Sequence, residues 1–135
     1  MDGAVSRKIL IVDDEAHIRA LIEQTLEDLE DEGVELLTAD NGADAVSMIV
    51  EQRPDLVFLD VMMPEMNGYE VCRRVRDELG MPDVRIVLLT AKGQEADRVR
   101  GDEAGADRYA TKPFDPDELR ALAREWVLGR GRDTA

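Results

Sequence analysis

Short apolar runs recur along the chain and predict its strands. Three of them are strongly apolar and rich in Val, Ile and Leu, at residues 8–12, 56–59 and 84–89. Runs of this length are typical of strands that are buried on both faces, as in a parallel sheet. Two weaker runs, at residues 34–39 and 109–110, complete a set of five predicted strands, and the run at 34–39 is expected near an edge of the sheet.

Apolar residues at helical spacing follow each predicted strand. The corresponding helices are predicted at residues 18–29, 43–50, 71–79, 93–106 and 116–126. The fourth is expected to be mobile, because glycines interrupt it and its apolar side chains are small. The regular alternation predicts an α/β fold, a single doubly wound five-stranded parallel sheet with five helices on both faces.

Polar residues stand at the ends of four predicted strands. They are Asp13 and Asp14, Asp60, Thr90 and Lys112. In a doubly wound fold the carboxyl ends of the strands share one edge, where ligands bind. Taken singly, these residues also have simpler explanations. Asp60 alone is equally well explained as a loop cap. Likewise, Asp14 alone is more commonly an N-cap of the first helix, with the next residue, Glu15, favouring the positive end of the helix dipole. Packing does not explain the whole set on one edge.

Three carboxylates on one edge need positive charge nearby. Two carboxylates about 4 Å apart repel each other by roughly 4 kcal/mol at an effective dielectric constant of 20. Lys112 supplies one charge, and Mg²⁺ suits the remainder because it binds a few carboxylates together with carbonyl, water and phosphate oxygens. An aspartate at such a site can attack phosphorus and form an acyl phosphate. The strand-end residues therefore indicate a magnesium-dependent phosphoryl-transfer site.

The overall charge narrows the range of partners. The chain has 31 acidic and 17 basic residues and a net charge of −14 at pH 7, which argues against direct binding to nucleic acid or to an anionic membrane. No apolar run reaches the roughly 20 residues of a transmembrane helix, no signal peptide is recognisable, and the single cysteine excludes an internal disulfide. A cytoplasmic protein that acts on another protein is expected. Its 135 residues are predicted to form a mobile leader at 1–7, one domain at 8–128 and a polar tail at 129–135.

The motifs at the strand ends form a specific set. They are Asp13-Asp14, Asp60 followed by Met63-Pro64 and Asn67-Gly68, Thr90-Ala91, and Lys112-Pro113-Phe114. This set resembles the receiver domains of two-component response regulators, of the chemotaxis-regulator type, and the resemblance extends from Lys8 to about Leu128. It implies a flavodoxin-like sheet with strand order 2-1-3-4-5.

The resemblance also implies the ligands of the metal. Asp60 would be the phosphoacceptor and would itself contact the ion. Asp13 and Asp14 would hold Mg²⁺ directly or through water, with Mn²⁺ as a substitute. The backbone carbonyl of Met62 would be a further ligand.

Other residues would bind the phosphoryl group and report its presence. Thr90 would donate a hydrogen bond to the phosphoryl group, and Lys112 would pair with it. Drawing Thr90 inward would open space for Tyr109 to turn inward, so that these two residues form a switch. The peptide bond before Pro113 would be cis.

The function implied by the resemblance is signalling by phosphorylation. The chain would accept a phosphoryl group from a sensor histidine kinase or a histidine phosphotransfer protein and would slowly dephosphorylate itself, without turning over a separate substrate. The helix at 93–106, the last strand and the last helix would form the face that binds a downstream protein. The chain would be a monomer or a weak homodimer through that face, although Asp102 and Arg108 depart from the pattern of receivers that dimerise there.

Two other functional classes remain open at this point. A receiver-like docking module would work without phosphorylation, but the complete set of Asp60, Thr90 and Lys112 argues against it. A magnesium-dependent phosphatase with an aspartyl-phosphate intermediate would need a second acid and a cap over its substrate. The loop after Asp60 and the length of the chain provide neither.

Overall fold

The computed structural model of the chain describes residues 7–91 and 103–129. Its strands are β1 (Arg7–Val12), β2 (Val34–Ala39), β3 (Leu56–Asp60), β4 (Arg85–Ala91) and β5 (Arg108–Lys112). All of them pair in parallel and form one sheet in the order β2-β1-β3-β4-β5. The predicted fold class and strand order are therefore confirmed, and β2 lies at an edge as its weaker apolar pattern predicted.

Helices cover both faces of the sheet. The described residues form α1 (Ala16–Leu26), α2 (Gly42–Gln52), α3 (Gly68–Arg73) and a C-terminal helix (Pro116–Arg124). Short 3₁₀ or π turns continue three of these helices, at Glu27–Glu32, Arg74–Glu78 and Glu125–Gly129. None of the helices in the described part of the chain is long and apolar enough to cross a bilayer.

Some predicted segments lie outside the described residues. The helix predicted at 93–106 falls mostly within residues 92–102, which the structure does not describe. Its expected mobility therefore stays a prediction. Residues 1–6 of the predicted leader and 130–135 of the predicted tail are also outside. Four of the five predicted helices are thus observed.

The strand side chains alternate between two hydrophobic cores, one on each face of the sheet. Ile9 and Phe58 belong to the core beside α1 and the C-terminal helix, whereas Leu10 and Leu59 belong to the core beside α2 and α3. Every residue of β3 is buried, which is why this strand is a continuous apolar run. Cys72 lies in the second core, and burial raises the pKa of its thiol to about 11, as expected for a packing residue.

Side-chain caps stand at the start of three described helices, including α3 and the C-terminal helix, which follow strands that end at the carboxyl edge. Asn67 Oδ1 accepts a hydrogen bond from the backbone N–H of Glu70 at 2.9 Å, and the Glu70 carboxylate accepts one from the Asn67 N–H at 3.0 Å. This reciprocal pair is a capping box, which starts α3 soon after β3. Asp115 caps the C-terminal helix by accepting a hydrogen bond from the Asp117 N–H at 2.9 Å. Both helices therefore begin close to the carboxyl edge of the sheet.

Arg76 anchors the chain as it enters β5. Its Nε donates to the carbonyl oxygen of Gly105 at 2.9 Å, and its Nη2 lies 2.8 Å from Asp107 Oδ2. The same Asp107 oxygen accepts a hydrogen bond from the Ile86 N–H at 2.8 Å. These bonds tie the start of β5 to the start of β4, and thereby help to set the register that brings Lys112 to the carboxyl edge.

Candidate functional site

Two buried aspartates and one lysine meet at the carboxyl edge of the sheet. Asp13 directly follows β1, Asp60 ends β3 and Lys112 ends β5. The Lys112 Nζ atom lies 2.8 Å from Asp13 Oδ2 and 3.1 Å from Asp60 Oδ1. Because β4 separates β5 from β3, only a long side chain can make both contacts. The peptide bond between Lys112 and Pro113 is cis.

The lysine does not fully compensate the buried negative charge. Asp60 is 4 % exposed and Asp13 is completely buried. Burial first, and then the neighbouring charge of Asp13, raise the pKa of Asp60 to about 6 against the opposing effect of Lys112. Burial by itself would lower the pKa of Lys112, but the hydrogen bond to Asp13 and the charges of both aspartates outweigh it and raise this pKa. One positive charge thus serves two buried carboxylates.

Asp14 lies beside this group and is exposed. The N-cap of α1 is Glu15, and its side chain makes no capping hydrogen bond, so the alternative explanation of Asp14 as the N-cap is wrong. Carboxylate oxygens of Asp13, Asp14 and Glu15 lie within 4.8 Å of one another. Glu15 was not among the predicted metal ligands. The sequence signal for Glu15 is its position as the third acid in the run that begins at Asp13. From the sequence, this acid is assigned to the positive end of the helix dipole instead.

The other predicted residues surround this group at different depths. Thr90 is 8 % exposed and lies in β4, next to the residue that pairs with Asp60. Met62 is 62 % exposed, and its backbone N–H donates to Asp60 Oδ1 at 3.3 Å. Tyr109 is half-buried in β5, three residues before Lys112, and packs against the core beside α2 and α3. The structure thus brings Thr90 and Met62 to the functional edge and places Tyr109 deeper in the sheet.

The donor atoms at this edge suit a small divalent cation. Asp13, Asp14 and Asp60 offer carboxylate oxygens, the donor type that Mg²⁺ prefers in proteins. Two buried carboxylates share one lysine at this edge. Burial and the charge of Asp13 raise the pKa of Asp60, and a bound cation would favour its ionised form. The residues present therefore fit the magnesium ion that the sequence predicted.

Gly68 allows α3 to begin directly against the end of β3. A Cβ atom on Gly68 would lie 2.5 Å from the carbonyl oxygen of Asp60 and 2.9 Å from Val61 Cα. The Gly68 N–H also donates to the carbonyl oxygen of Val61 at 2.9 Å. These are contacts between backbones, so no side-chain rotation can relieve a clash. The glycine of the Asn67-Gly68 motif is therefore needed to hold the backbone that carries Asp60.

A Gly68→Ala variant is expected to lose about 2 kcal/mol of unfolding free energy, because overpacking of this kind costs roughly 1–3 kcal/mol. Urea denaturation measures the loss. Gly80→Ala is the control, since Gly80 has open space around it but a φ of +58°, and its cost should be only about 1 kcal/mol. If the two variants are equally stable, the contact with Asp60 does not constrain the backbone.

The chain is similar to known proteins over most of its length. Residues 9–124 match the family described as "Response regulator receiver domain". The chain is 47 % identical over 135 residues to the transcriptional regulatory protein ResD of Bacillus subtilis, covering 100 % of this chain and 53 % of ResD. It is 50 % identical over 116 residues to the phosphate regulon transcriptional regulatory protein PhoB of Pseudomonas aeruginosa, covering 85 % of this chain and 49 % of PhoB.

A solved structure shows the same fold. A putative response regulator from Chloroflexus aurantiacus superposes with a TM-score of 0.79 at 34 % identity, covering 90 % of this chain and 97 % of that one. The curated relatives are longer, and the chain spans about half the length of those it matches.

Proposed function

The chain belongs to the response regulator receiver domain family, and on this basis we propose that it accepts a phosphoryl group on Asp60 in a magnesium-dependent reaction. The donor is a phosphohistidine of a sensor histidine kinase or of a histidine phosphotransfer protein. One observation carries the proposal, which is the contact of a single lysine, Lys112, with the two buried carboxylates of Asp13 and Asp60. A purely structural ion pair would need only one of those carboxylates.

Asp60 is suited to be the nucleophile. Both described contacts of its side chain, with Lys112 Nζ and with the Met62 N–H, are made through Oδ1. The described residues therefore leave Oδ2 available to attack phosphorus. A bond forms between Oδ2 and phosphorus, the bond from phosphorus to the donor nitrogen breaks, and that nitrogen keeps the electron pair and takes up a proton. With a pKa of about 6, Asp60 is mostly ionised at pH 7 and needs no general base.

The surrounding residues stabilise the transferring group. Mg²⁺, when bound, offsets the negative charge on the phosphoryl oxygens. The carboxylates of Asp13 and Asp14 and the carbonyl of Met62 are its proposed ligands together with Asp60. Lys112 pairs with the phosphoryl group while staying at the edge where it already lies. The hydroxyl of Thr90 donates a hydrogen bond to the same group. Attack of water on the acyl phosphate releases phosphate and restores the Asp60 carboxylate, so the chain slowly dephosphorylates itself.

The signal is read on the face that includes β5. Phosphorylation adds roughly 1.5 to 2 negative charges at the carboxyl edge, and Lys112 links that edge to β5. A groove of about 680 Å³ runs between β5 and the C-terminal helix, and Tyr109, Phe114 and Leu122 contribute to its lining. Together with the segment at 93–106, this face is the proposed binding surface for a downstream protein, with Thr90 and Tyr109 as the switch.

The relatives suggest where such a signal leads. ResD and PhoB are named as transcriptional regulators, and this chain corresponds to about half of each. With a net charge of −14, the chain itself is not suited to contact DNA. Its proposed role is to receive the phosphoryl group in the cytoplasm and to pass the signal to another protein surface.

Intact-mass measurement after incubation with a small acyl phosphate and Mg²⁺ tests the proposal. The wild type is expected to gain one phosphate-sized increment, and Asp60→Asn is expected to gain none. Asp77→Asn, at an exposed aspartate away from the site, should behave as the wild type does. Chelation of Mg²⁺ should abolish the gain. A wild type that gains nothing would favour the docking module, and an equal gain by Asp60→Asn would exclude Asp60 as the acceptor.

A further inference from the structure

We propose that Arg19 is a positioning residue for the magnesium site and acts through the carbonyl oxygen of Asp13. Arg19 lies in α1, and its Nη1 donates to that oxygen at 2.7 Å. The inference rests on the proposed function, because it concerns the binding of the ion on which that function depends. Neither the strand-end motifs nor the apolar pattern indicates a role for Arg19.

The bond acts on the peptide unit that joins the two acids. The carbonyl of Asp13 and the N–H of Asp14 belong to one planar unit, so holding the oxygen limits rotation of the whole unit. On its preceding side, Asp13 is fixed by its N–H, which donates to the Ala39 carbonyl at 3.3 Å. Asp13 Oδ1 accepts a hydrogen bond from the Glu15 N–H at 2.9 Å, which spans the Asp13–Asp14 peptide unit. Arg19 adds a constraint from α1 by holding the carbonyl oxygen of the same peptide unit.

Asp14 depends on this support more than Asp13 does. Asp13 is buried and contacts Lys112, whereas Asp14 is exposed. Within residues 7–91 and 103–129, Asp14 makes no hydrogen bond or ion pair of its own. Its direction is therefore set by the backbone, and the hydrogen bond from Arg19 helps to hold that backbone in place.

Arg19 has no competing ion pair in the described part of the chain. It is half-buried and lines a depression of about 340 Å³ together with Asp40 and Asp44. Within the described part of the chain, no carboxylate oxygen lies within 4.0 Å of the Arg19 guanidinium. Its positive charge close to the site would by itself weaken the binding of Mg²⁺. A positioning role would strengthen that binding. The two effects have opposite signs, so a measurement of magnesium affinity separates them.

An Arg19→Met variant is expected to bind Mg²⁺ about tenfold more weakly than the wild type, because loss of a group that orients a metal ligand typically costs 10- to 100-fold in affinity. Methionine retains an unbranched apolar stem, although it is shorter than arginine, and it donates no hydrogen bond. The dissociation constant is measured by titrating MgCl₂ into the protein without phosphate donor and following the backbone amide NMR signals of residues 13–15. Arg19→Lys, which retains the charge and a donor, should lose less affinity.

Arg120→Met is the matched control. Arg120 Nε donates to the carbonyl oxygen of Thr25 at 3.0 Å, so this variant also removes an arginine that holds a backbone carbonyl of α1, but at its far end. Its magnesium affinity should equal that of the wild type. Unchanged or tighter binding by Arg19→Met would overturn the proposal. If Arg19→Met does not fold, full wild-type affinity in an Arg19→Gln variant that has lost the bond would overturn it as well.

The outcome is separable from that of the proposed function. Asp60 is intact in Arg19→Met, so this variant should still gain phosphate when Mg²⁺ is saturating. A wild type that binds Mg²⁺ but gains no phosphate would overturn the proposed function and leave the effect of Arg19 on affinity standing. A wild type that does not bind Mg²⁺ would overturn both.

Discussion

A Lys112→Ala variant is expected to have an unfolding free energy about 3 kcal/mol below that of the wild type near neutral pH without Mg²⁺, since removing one partner of a buried ion pair costs roughly 3–5 kcal/mol. The variant leaves the buried carboxylates of Asp13 and Asp60 without the positive charge that lies 2.8 Å and 3.1 Å from them. The lower end of that range applies because Asp60, with a pKa of about 6, can take up a proton instead. Urea denaturation measures the loss, which should shrink in mildly acidic solution.

An exposed ion pair provides the control for Lys112. Arg124 pairs with Glu32 at 2.6 Å, and both side chains are more than 40 % exposed. Because an exposed pair of this kind contributes at most about 1 kcal/mol, Arg124→Ala should have a much smaller effect. Adding Asp13→Asn to Lys112→Ala should recover part of the loss, since it removes one of the two uncompensated charges. A Lys112→Ala variant as stable as Arg124→Ala would show that the lysine does not neutralise the buried carboxylates.

Asp60→Asn is expected to be more stable than the wild type near neutral pH without Mg²⁺. The pKa of Asp60 rises from its ordinary value of 3.8 to about 6 on folding, so the folded chain binds this proton more tightly than the unfolded chain. The associated stability is fully present below pH 3.8 and is lost as the pH rises through about 6. A shift of about two units corresponds to at most about 3 kcal/mol at 1.36 kcal/mol per unit. Asparagine has the same shape and does not ionise, so it avoids this loss.

Denaturation of the wild type and Asp60→Asn across a range of pH tests this expectation. The advantage of the variant should be absent in acid and should grow through about pH 6, where the wild-type carboxyl ionises. Mg²⁺ should reduce the advantage, because an ion that binds the folded wild type at 100 times its dissociation constant stabilises it by about 2.7 kcal/mol. Asp77→Asn, at an exposed site, should show no such dependence. A metal-free Asp60→Asn variant that is less stable than the wild type near pH 7 would contradict the charge excess.

Lys112→Ala and Asp60→Asn change the net charge at the carboxyl edge in opposite directions. Removing the lysine increases the uncompensated negative charge at the carboxyl edge, and removing the carboxylate of Asp60 decreases it. The metal-free fold carries this excess where two buried carboxylates and one lysine meet at the carboxyl edge of the sheet. Stability sacrificed at a site of this kind is consistent with a site shaped for metal and phosphate rather than for folding.

Much of the fold could be predicted from the sequence because its signals are local. Burial of β3 on both faces leaves an uninterrupted apolar run, and the alternation of such runs with helical spacing implies parallel strands. Parallel strands place their carboxyl ends on one edge, so Asp60 and Lys112 could be assigned to that edge without coordinates. The helix predicted at 93–106 had the weakest pattern, and most of it lies outside the described residues.

The functions of individual acids were harder to predict. Taken alone, Asp14 is more commonly an N-cap than a metal ligand, and the choice depends on the residue at which α1 begins. The helix begins at Ala16, which gives the N-cap position to Glu15 and leaves Asp14 free of that role. A shift of one residue in a helix boundary is below what sequence patterns resolve.

The sequence by itself thus determined the strand order, the edge that carries the chemistry and the residue types gathered there, because these follow from hydrophobic periodicity and from family motifs. Only the tertiary structure decided which of these atoms touch. Lys112 reaches Asp60 across one intervening strand and Asp13 across two, Gly68 lies with its backbone against that of Asp60, and Arg19 holds the carbonyl of Asp13. Each contact depends on distances between separate elements, and those distances are set by how the sheet and helices pack rather than by local sequence.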